Sequence, residues 1–301
     1  MHRQKKYHLR EQIALFILLM PAIVHACIFG YGPILGLQIA FKDFLPRQGI
    51  QGSEWVGLKH FVRFFNYPNF WQMIRNTLTL SLYTLALFPV PIICALIVNE
   101  LRNSKTKKVV QTITYAPHFI STVVLCAMVI LFLDRGNGLI SNILASMGHE
   151  RADIMGNPSA FPHIFVLSDV WQNTGWNMIV YLSALSSVSS ECIEAAKIDG
   201  ANRLQIIRHV NVPHIMPTII ILFIVSSGHV LSVGYEKVLL LQNPMNLETS
   251  TVISTYVYEI GLIGGQLSYS TAIGLFNSII NLLIVIMVNT IANRLSQSSL
   301  W

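Results

Sequence analysis

The chain has 301 residues, 53% hydrophobic and only 11% charged, with a formal net charge of +6. Soluble domains carry about 25% charged residues, so a soluble globular domain is excluded. A nucleic-acid partner is not implied either, because the surplus Lys and Arg are placed by a membrane, as the loop charges show below. An all-α polytopic membrane protein is the class that remains.

A bilayer core of roughly 30 Å takes about 20 mostly apolar residues per helix. Six windows meet that requirement: 13–40, 77–98, 110–133, 164–185, 215–231 and 271–292. Residues 1–12 form a basic tail, "RQKKYHLR". The apolar run behind it is too long for a signal peptide and ends in no small-residue cleavage site, so a retained span is expected. Pro89 and Pro91 are expected to kink the second window. The fifth is only lightly interrupted toward residue 241 by "VLSVGYEKVLLL". Between spans, the aromatic-rich segment 55–71 and the one-sided apolar segment "GLISNILASM" suit helices at the headgroup level. A docking rim for an external partner is the other reading. Cys27, Cys94 and Cys126 lie in apolar windows and Cys192 in a polar one, with no spacing that suggests a disulfide framework or a zinc site.

With six spans, the N-terminus, the loops after the second and fourth spans, and the C-terminus share one side. That side carries Arg3, Lys5, Lys6, Arg10, Arg102, Lys105, Lys107, Lys108, Lys197, Arg203, Arg208 and Arg294. The other carries Lys42, Arg47, Lys59, Arg63, Arg75, Arg135, Arg151 and Lys237, and acids bring it close to neutral. The first side is therefore expected to be cytoplasmic. No G-x-x-x-x-G-K-[ST] loop, H-E-x-x-H or G-x-S-x-G occurs, so nucleotide hydrolysis, metalloprotease and hydrolase chemistry have no carrier here. The windows are nearly free of acids and bases, with Asp169, Glu236 and Lys237 near their outer ends, so a proton relay has little to run on.

The loop after the fourth window, "IEAAKIDGANRLQIIRHVNVPHIMP", is the polar exception. Ser189 or Ser190 can cap a helix whose first turn holds Glu191 and Glu194. Glu194–Lys197 and Asp199–Arg203 are spaced to pair along a helical surface. A break near Gly200, a second short helix, and an end to the regular stretch at Pro213 are expected. Ala195, Ala196, Gly200 and Ala201 present almost no bulk, while Ile193, Ile198, Leu204 and Ile207 are apolar in a segment facing water. A small-residue face with apolar flanks suits insertion into a groove on another protein. Packing against its own chain is an equal alternative on these residues alone.

The same stretch carries a resemblance. Glu194-Ala195-Ala196, three residues, Gly200, nine residues, then Val210-Asn211-Val212-Pro213 is similar to the signature of ABC-importer permeases, with Val where Ile and Leu are usual. "SEWVGLKHFVRFF", "QTITYAPHFIST", "STYVYEIGL" and "YSTAIGLFNSIINLLIVIMVN" resemble the permeases for complex carbohydrates called LplB-like, over nearly the whole chain. The resemblance implies the type I importer fold of six helices: one permease domain over 13–301, with its core at about 72–292 and a coupling loop at about 188–213. It implies that Glu194, Ala195, Ala196, Asp199, Gly200, Ala201 and Pro213 meet a separate ATPase. It implies import of an oligosaccharide without covalent chemistry in this chain. No cofactor is expected on the chain itself, with ATP and Mg on two cytoplasmic ATPase subunits. A second, diverged permease and an extracellular substrate-binding lipoprotein complete the implied assembly, in a bacterial plasma membrane with both termini cytoplasmic. A self-sufficient secondary transporter or channel is the alternative.

A sugar path needs aromatic faces and neutral hydrogen-bonding groups. Trp171, Asn173, Trp176 and Tyr181 in the fourth window offer both, with Ser227 and His229 in the fifth and Asn277 in the sixth. Interfacial anchoring of the Trp residues and interhelical bonding by Asn277 are the plainer alternatives.

Overall fold

The computed structural model describes the backbone of residues 2–296 and the side chains of residues 13–294. It separates into two compact units, Met1–Tyr67 with Glu259–Phe276, and Pro68–Tyr258 with Asn277–Trp301.

The first unit opens with α1, His2–His25, which loosens into a π turn at Ala26–Tyr31 and a 3-10 stretch at Gly32–Phe41. Pro21 and Pro33 withhold amide donors along this run, which is why its hydrogen-bond pattern changes without the run ending. From Ile13 to Leu37 its large apolar side chains are exposed, as lipid contact requires. A short antiparallel pair follows, β1 (Lys42–Asp43) and β2 (Glu54–Trp55), with Lys42 opposite Trp55. Phe41 stacks on Trp55 at 5.6 Å. The helix α2, Lys59–Phe65, buries His60 and Phe64 rather than lying wholly on a surface. Phe64 meets Phe276 edge-on at 5.6 Å, and the Arg63 guanidinium sits 4.1 Å from the Tyr269 ring centre. Lys59 donates to Asp43 at 2.5 Å, and this hydrogen bond holds the Asp43 carboxyl below the usual carboxylate range.

The second unit is helical apart from its connections. Pro89 stands at the first turn of a new helix, so the span Phe70–Asn99 is interrupted at Leu87–Phe88 between α3 (Phe70–Ala86) and α4 (Pro89–Asn99), where its prolines suggested. The third window is not one straight span. α5 (Ser104–Tyr115), extended by a 3-10 turn at Ala116–Phe119, meets α6 (Thr122–Leu133) at 99°. Pro117 stops the first piece, Ile120 is extended, and Ser121 caps the second by accepting from Val124 N–H at 3.3 Å. The helix α7, Leu139–Ser146, leaves Leu139 and Ile143 exposed and buries Ser141.

α8, Phe161–Ser186, is the axis of the unit. Phe161, Phe165 and Val166 enter one apolar core with Leu80, Cys126, Val238 and Leu241. Met178, Tyr181 and Leu185 enter another with Ile92, Ala95, Val98 and Ile215. In a bilayer these side chains stabilise through close packing rather than by leaving water, since lipid tails are as apolar as they are. Between the two cores lies the polar run 168–177. Gly175 sits where a Cβ would overlap the Thr114 carbonyl, so its absence lets α5 and α8 touch backbone to backbone.

Beyond α8 come α9 (Ser190–Ile198), α10 (Arg203–Ile206), a π turn at Ile207–Asn211 and α11 (Val212–Ser227). The expected stop at Pro213 does not occur, because helix runs continuously from Arg203 to Ser227. Val212 N–H reaches back five residues to Ile207 O, and this widened turn relieves the clash a proline ring makes with the preceding turn. Nor does the fifth window run on to 241. It unwinds over residues 228–234 and resumes as α12, Tyr235–Leu241. The last helix, Leu267–Ser296, closes the chain.

Four helices among the described residues are long and apolar enough to cross a membrane: Ile13–Phe41, Phe70–Asn99, Arg203–Ser227 and Leu267–Arg294. A fifth counts if the bent pair is one span. The expected window 164–185 is helical throughout, and 26 residues would reach ~39 Å. Its polar middle keeps it from qualifying by composition, and the reason is the cavity it lines.

Candidate functional site

Two regions concentrate the residues singled out above. The first is the loop 188–213. Ser189 caps α9 by accepting from Glu191 N–H at 3.2 Å. At the other end, Ala201 N–H donates to Ala196 O at 2.9 Å and Gly200 N–H to Lys197 O at 3.1 Å, with Gly200 at φ +82°. These two bonds and the left-handed residue make a Schellman stop. Gly200 is therefore required by the backbone, while the space around it is open. One residue on, Asn202 and Gln205 bond reciprocally to each other's amides at 2.9 and 2.7 Å, starting α10 with a capping box. The sequence reading passed over this start signal, although the N-x-x-Q spacing carries it. The proposed pairs Glu194–Lys197 and Asp199–Arg203 are not among the ion pairs of the described residues.

No residue of α9 is buried. Ile198 is 86% exposed and Leu204 74%. Glu194, Ala195, Asp199 and Gly200 are exposed, and Ala196 and Ala201 half-buried. The segment is thus a stiff, doubly capped corner on which Ile198 and Leu204 find no cover in their own chain, while Ile193 is half-buried and Ile206 buried. Pro213 is exposed but belongs to the long helix behind the corner, between buried Asn211 and buried Ile215.

The second region is the polar middle of α8. A cavity of about 420 Å³ is lined there by Asp169, Asn173, Trp176, Asn177 and Tyr181, together with Ser226, His229 and Ser232 from the end and the unwound continuation of α11. A second cavity of about 430 Å³ is lined by His118, Gln172, Glu236 and Lys237, and shares Phe165, Asp169, Asn173 and Gly234 with the first. A chain of contacts runs through this shared wall. Lys237 Nζ lies 3.4 Å from Asp169 Oδ1, and Asn173 Nδ2 donates to the same oxygen at 3.2 Å. Asn173 Oδ1 meets His118 Nδ1 at 3.1 Å, and the His118 ring stacks on Trp176 at 4.5 Å. Gln172 donates to Ile120 O at 2.8 Å, satisfying the carbonyl exposed by the 99° bend.

Of the path candidates, Asn173, Trp176, Tyr181 and His229 come together around the first cavity. Trp171 does not; it is half-exposed in a shallow cleft beside Ile113, Pro117 and Leu167. Ser227 is buried and donates to Ile224 O at 2.7 Å. Asn277 has a different task. Its Nδ2 donates to Leu231 O at 3.2 Å, while Asn281 Oδ1 accepts from Leu231 N–H at 2.9 Å and Asn281 Nδ2 reaches Ser232 Oγ at 2.9 Å. Two amides one turn apart on the last helix thereby satisfy the backbone that the break at 228–234 sets free. His118 and the Lys237–Asp169 contact were not legible as partners, because 68 residues separate the pair and nothing local links them.

Residues 87–297 match the family described as binding-protein-dependent transport system inner membrane component. The polygalacturonan/rhamnogalacturonan transport system permease protein YteP of Bacillus subtilis (strain 168) is 40% identical over 97% of this chain and 91% of its own length. Protein LplB of the same organism is 38% identical over 95% and 91%. A bacterial alginate ABC transporter, solved in complex with an alginate pentasaccharide-bound periplasmic protein, contains a chain of 38% identity. It superposes with a TM-score of 0.89, covering 98% of this chain and 99% of that one. The exposed corner and the polar cavity thus stand in a shared architecture, and the chain belongs to the binding-protein-dependent transport system inner membrane component family, as a permease subunit of an ABC importer.

Proposed function

We propose that this chain is one half of a two-permease pathway that imports an acidic oligosaccharide, driven by two ATPase subunits, one of which docks on the corner at 190–206. The observation that carries the docking is the exposure of α9: a capped helix with no buried residue, small at Ala195 and Ala196, with Ile198 protruding, and Leu204 of α10 exposed as well. A groove on another protein is what such a surface fits. Glu194, Asp199, Gly200 and Ala201 shape the corner, and Pro213 sits where the corner joins the long helix. ATP and Mg belong to the partner ATPases, whose closure favours one state of the helical bundle over the other.

The cavity beside α8 supports passage of a sugar, since it joins the indole of Trp176 to the neutral groups of Asn173, Asn177, Ser226 and Ser232. Acidic sugars are the class suggested by the relatives, one named for polygalacturonan and rhamnogalacturonan and another for import of the acidic polysaccharide alginate. A diverged second permease and an extracellular binding lipoprotein complete the assembly, in a bacterial plasma membrane with both termini cytoplasmic. The loop basicity supports that orientation.

Reconstitution tests the reading. Vesicles holding the chain with its co-purifying subunits are expected to take up an oligogalacturonate only with ATP and binding protein. Ala196→Cys is expected to crosslink to the ATPase. Uptake by the chain alone, or a crosslink confined to its own residues, overturns the proposal.

A further inference from the structure

We propose that Lys237 is a specificity-determining residue: it cancels the charge of Asp169 in the wall between the two cavities, so that an anionic saccharide can pass. The proposal rests on the acidic-oligosaccharide reading above. Asp169 lines both cavities, and its side chain is 34% open. Its Oδ1 receives both Asn173 and Lys237, whereas its Oδ2 has no partner among the described residues. A carboxylate with one oxygen facing a confined passage repels another carboxylate, and low-dielectric walls strengthen that repulsion. Glu236 also borders the second cavity, but it is exposed, so solvent screens it.

Lys237 is 7% exposed, and Asp169 is its one carboxylate partner among the described residues. Holding α12 in place does not explain it. Val238 and Leu241, on the same short helix, are fully buried in the core with Phe161 and Phe165, so the helix is anchored by apolar contact. The contact itself is long, 3.4 Å to a single oxygen, against about 2.7–2.9 Å for a strong charge-assisted hydrogen bond. Burying an ammonium is unfavourable unless it is paired. The structure accepts that burial beside the one carboxylate common to both cavities.

A charge role and a clasp role predict different signs, and one probe separates them: uptake of tetragalacturonate by vesicles holding the complete transporter. Under the charge role, Lys237→Met lowers uptake at least tenfold, whereas Asp169→Asn stays at or above the wild-type rate. The double variant Asp169→Asn/Lys237→Met then returns to within about threefold of wild type. If both single variants fall alike, or if Lys237→Met has no effect, the proposal is overturned. Co-elution of partner subunits reports assembly. Should Lys237→Met fail to assemble, Asp169→Asn/Lys237→Gln is compared with wild type; uptake within about threefold is the expected result, and a fall of tenfold or more overturns the proposal. No uptake by the wild-type transporter refutes the substrate class and this inference together, whereas wild-type uptake with equally impaired single variants refutes this inference alone.

Discussion

The corner at 190–206 and the wall at 118–237 are both polar interruptions of an apolar chain, yet they use polarity in opposite ways. In the corner, Ser189, Asn202 and Gln205 serve helix ends in solvent, and the protruding part is aliphatic, Ile198 and Leu204. In the wall, Asp169, Gln172, Asn173 and Lys237 bond to one another or to freed backbone away from bulk water, and apolar residues serve as the frame. A polar side chain in water contributes through geometry, whereas one under cover contributes mainly by leaving no group unpaired. Substitutions should therefore be mild in the corner for stability and severe for coupling, with the reverse at the frame of the wall.

The largest effect expected is at Gly175. Gly175→Leu drives a side chain into the Thr114 backbone and should remove the assembled complex from a size-exclusion profile, since overpacking alone costs about 1–3 kcal/mol and here the obstacle is backbone. Normal yield of that variant would mean that α5 and α8 separate easily. On the corner, Ala195→Trp should leave the thermal midpoint within a degree or two but reduce ATP-driven uptake at least tenfold. Ala195 is the better position than Gly200, where any side chain also strains the left-handed turn. Unchanged uptake would return the corner to a plain connection.

Next in size is the clamp on the unwound segment. Asn281→Leu strips Leu231 N–H of its acceptor and should cost about 1–3 kcal/mol, read as a lowered midpoint of thermal unfolding in detergent. Asn277→Leu, which leaves Leu231 O without its donor, should cost less, since a carbonyl tolerates under-satisfaction better than an amide. In the corner, Asn202→Ala should lose about 1 kcal/mol of local helix stability, seen as faster amide exchange across α10 with uptake altered far less than by Ala195→Trp.

The smallest effect is electrostatic. Asp43 has its folded carboxyl held below its ordinary range by Lys59, so its contribution is present at neutral pH and fades as pH falls through that lowered value. Both side chains are well exposed, which keeps the contribution small. Asp43→Asn should flatten the acid limb of the stability profile slightly, and a steeper limb would reverse the sign assigned here.

The contrast also explains what could be read in advance. The corner was legible because its signals are local: a serine cap, small residues, a glycine at the stop, all within two dozen positions. The first, second, fifth and sixth windows were legible because hydropathy is additive along a helix. The 99° bend was missed because Pro117 and Ser121 are two weak signals inside an apolar run, and the bend is completed by Gln172, 52 residues away. Pro213 misled for the opposite reason, since a widened turn five residues deep absorbs what a regular helix cannot. Asn277 and Asn281 lie one turn apart in the sequence, but the backbone break they serve lies in another span. Lys237 is the clearest case: a lone lysine in an apolar stretch reads as a boundary, and only the fold makes it the partner of Asp169.

The clamp also sets an order of events during synthesis. Leu231 offers its N–H and carbonyl to groups that lie 50 and 46 residues further along the chain. At about 5–20 residues per second, those groups do not exist for ~2–10 s after Leu231 has been made. Until the last helix has entered the bilayer, the gap at 228–234 must stay wet or stay outside. Insertion of the helix ending at Ser227 is finished by the helix Leu267–Ser296, and a nascent chain arrested before Asn281 should expose that gap to proteases and to the machinery that clears unfinished membrane proteins.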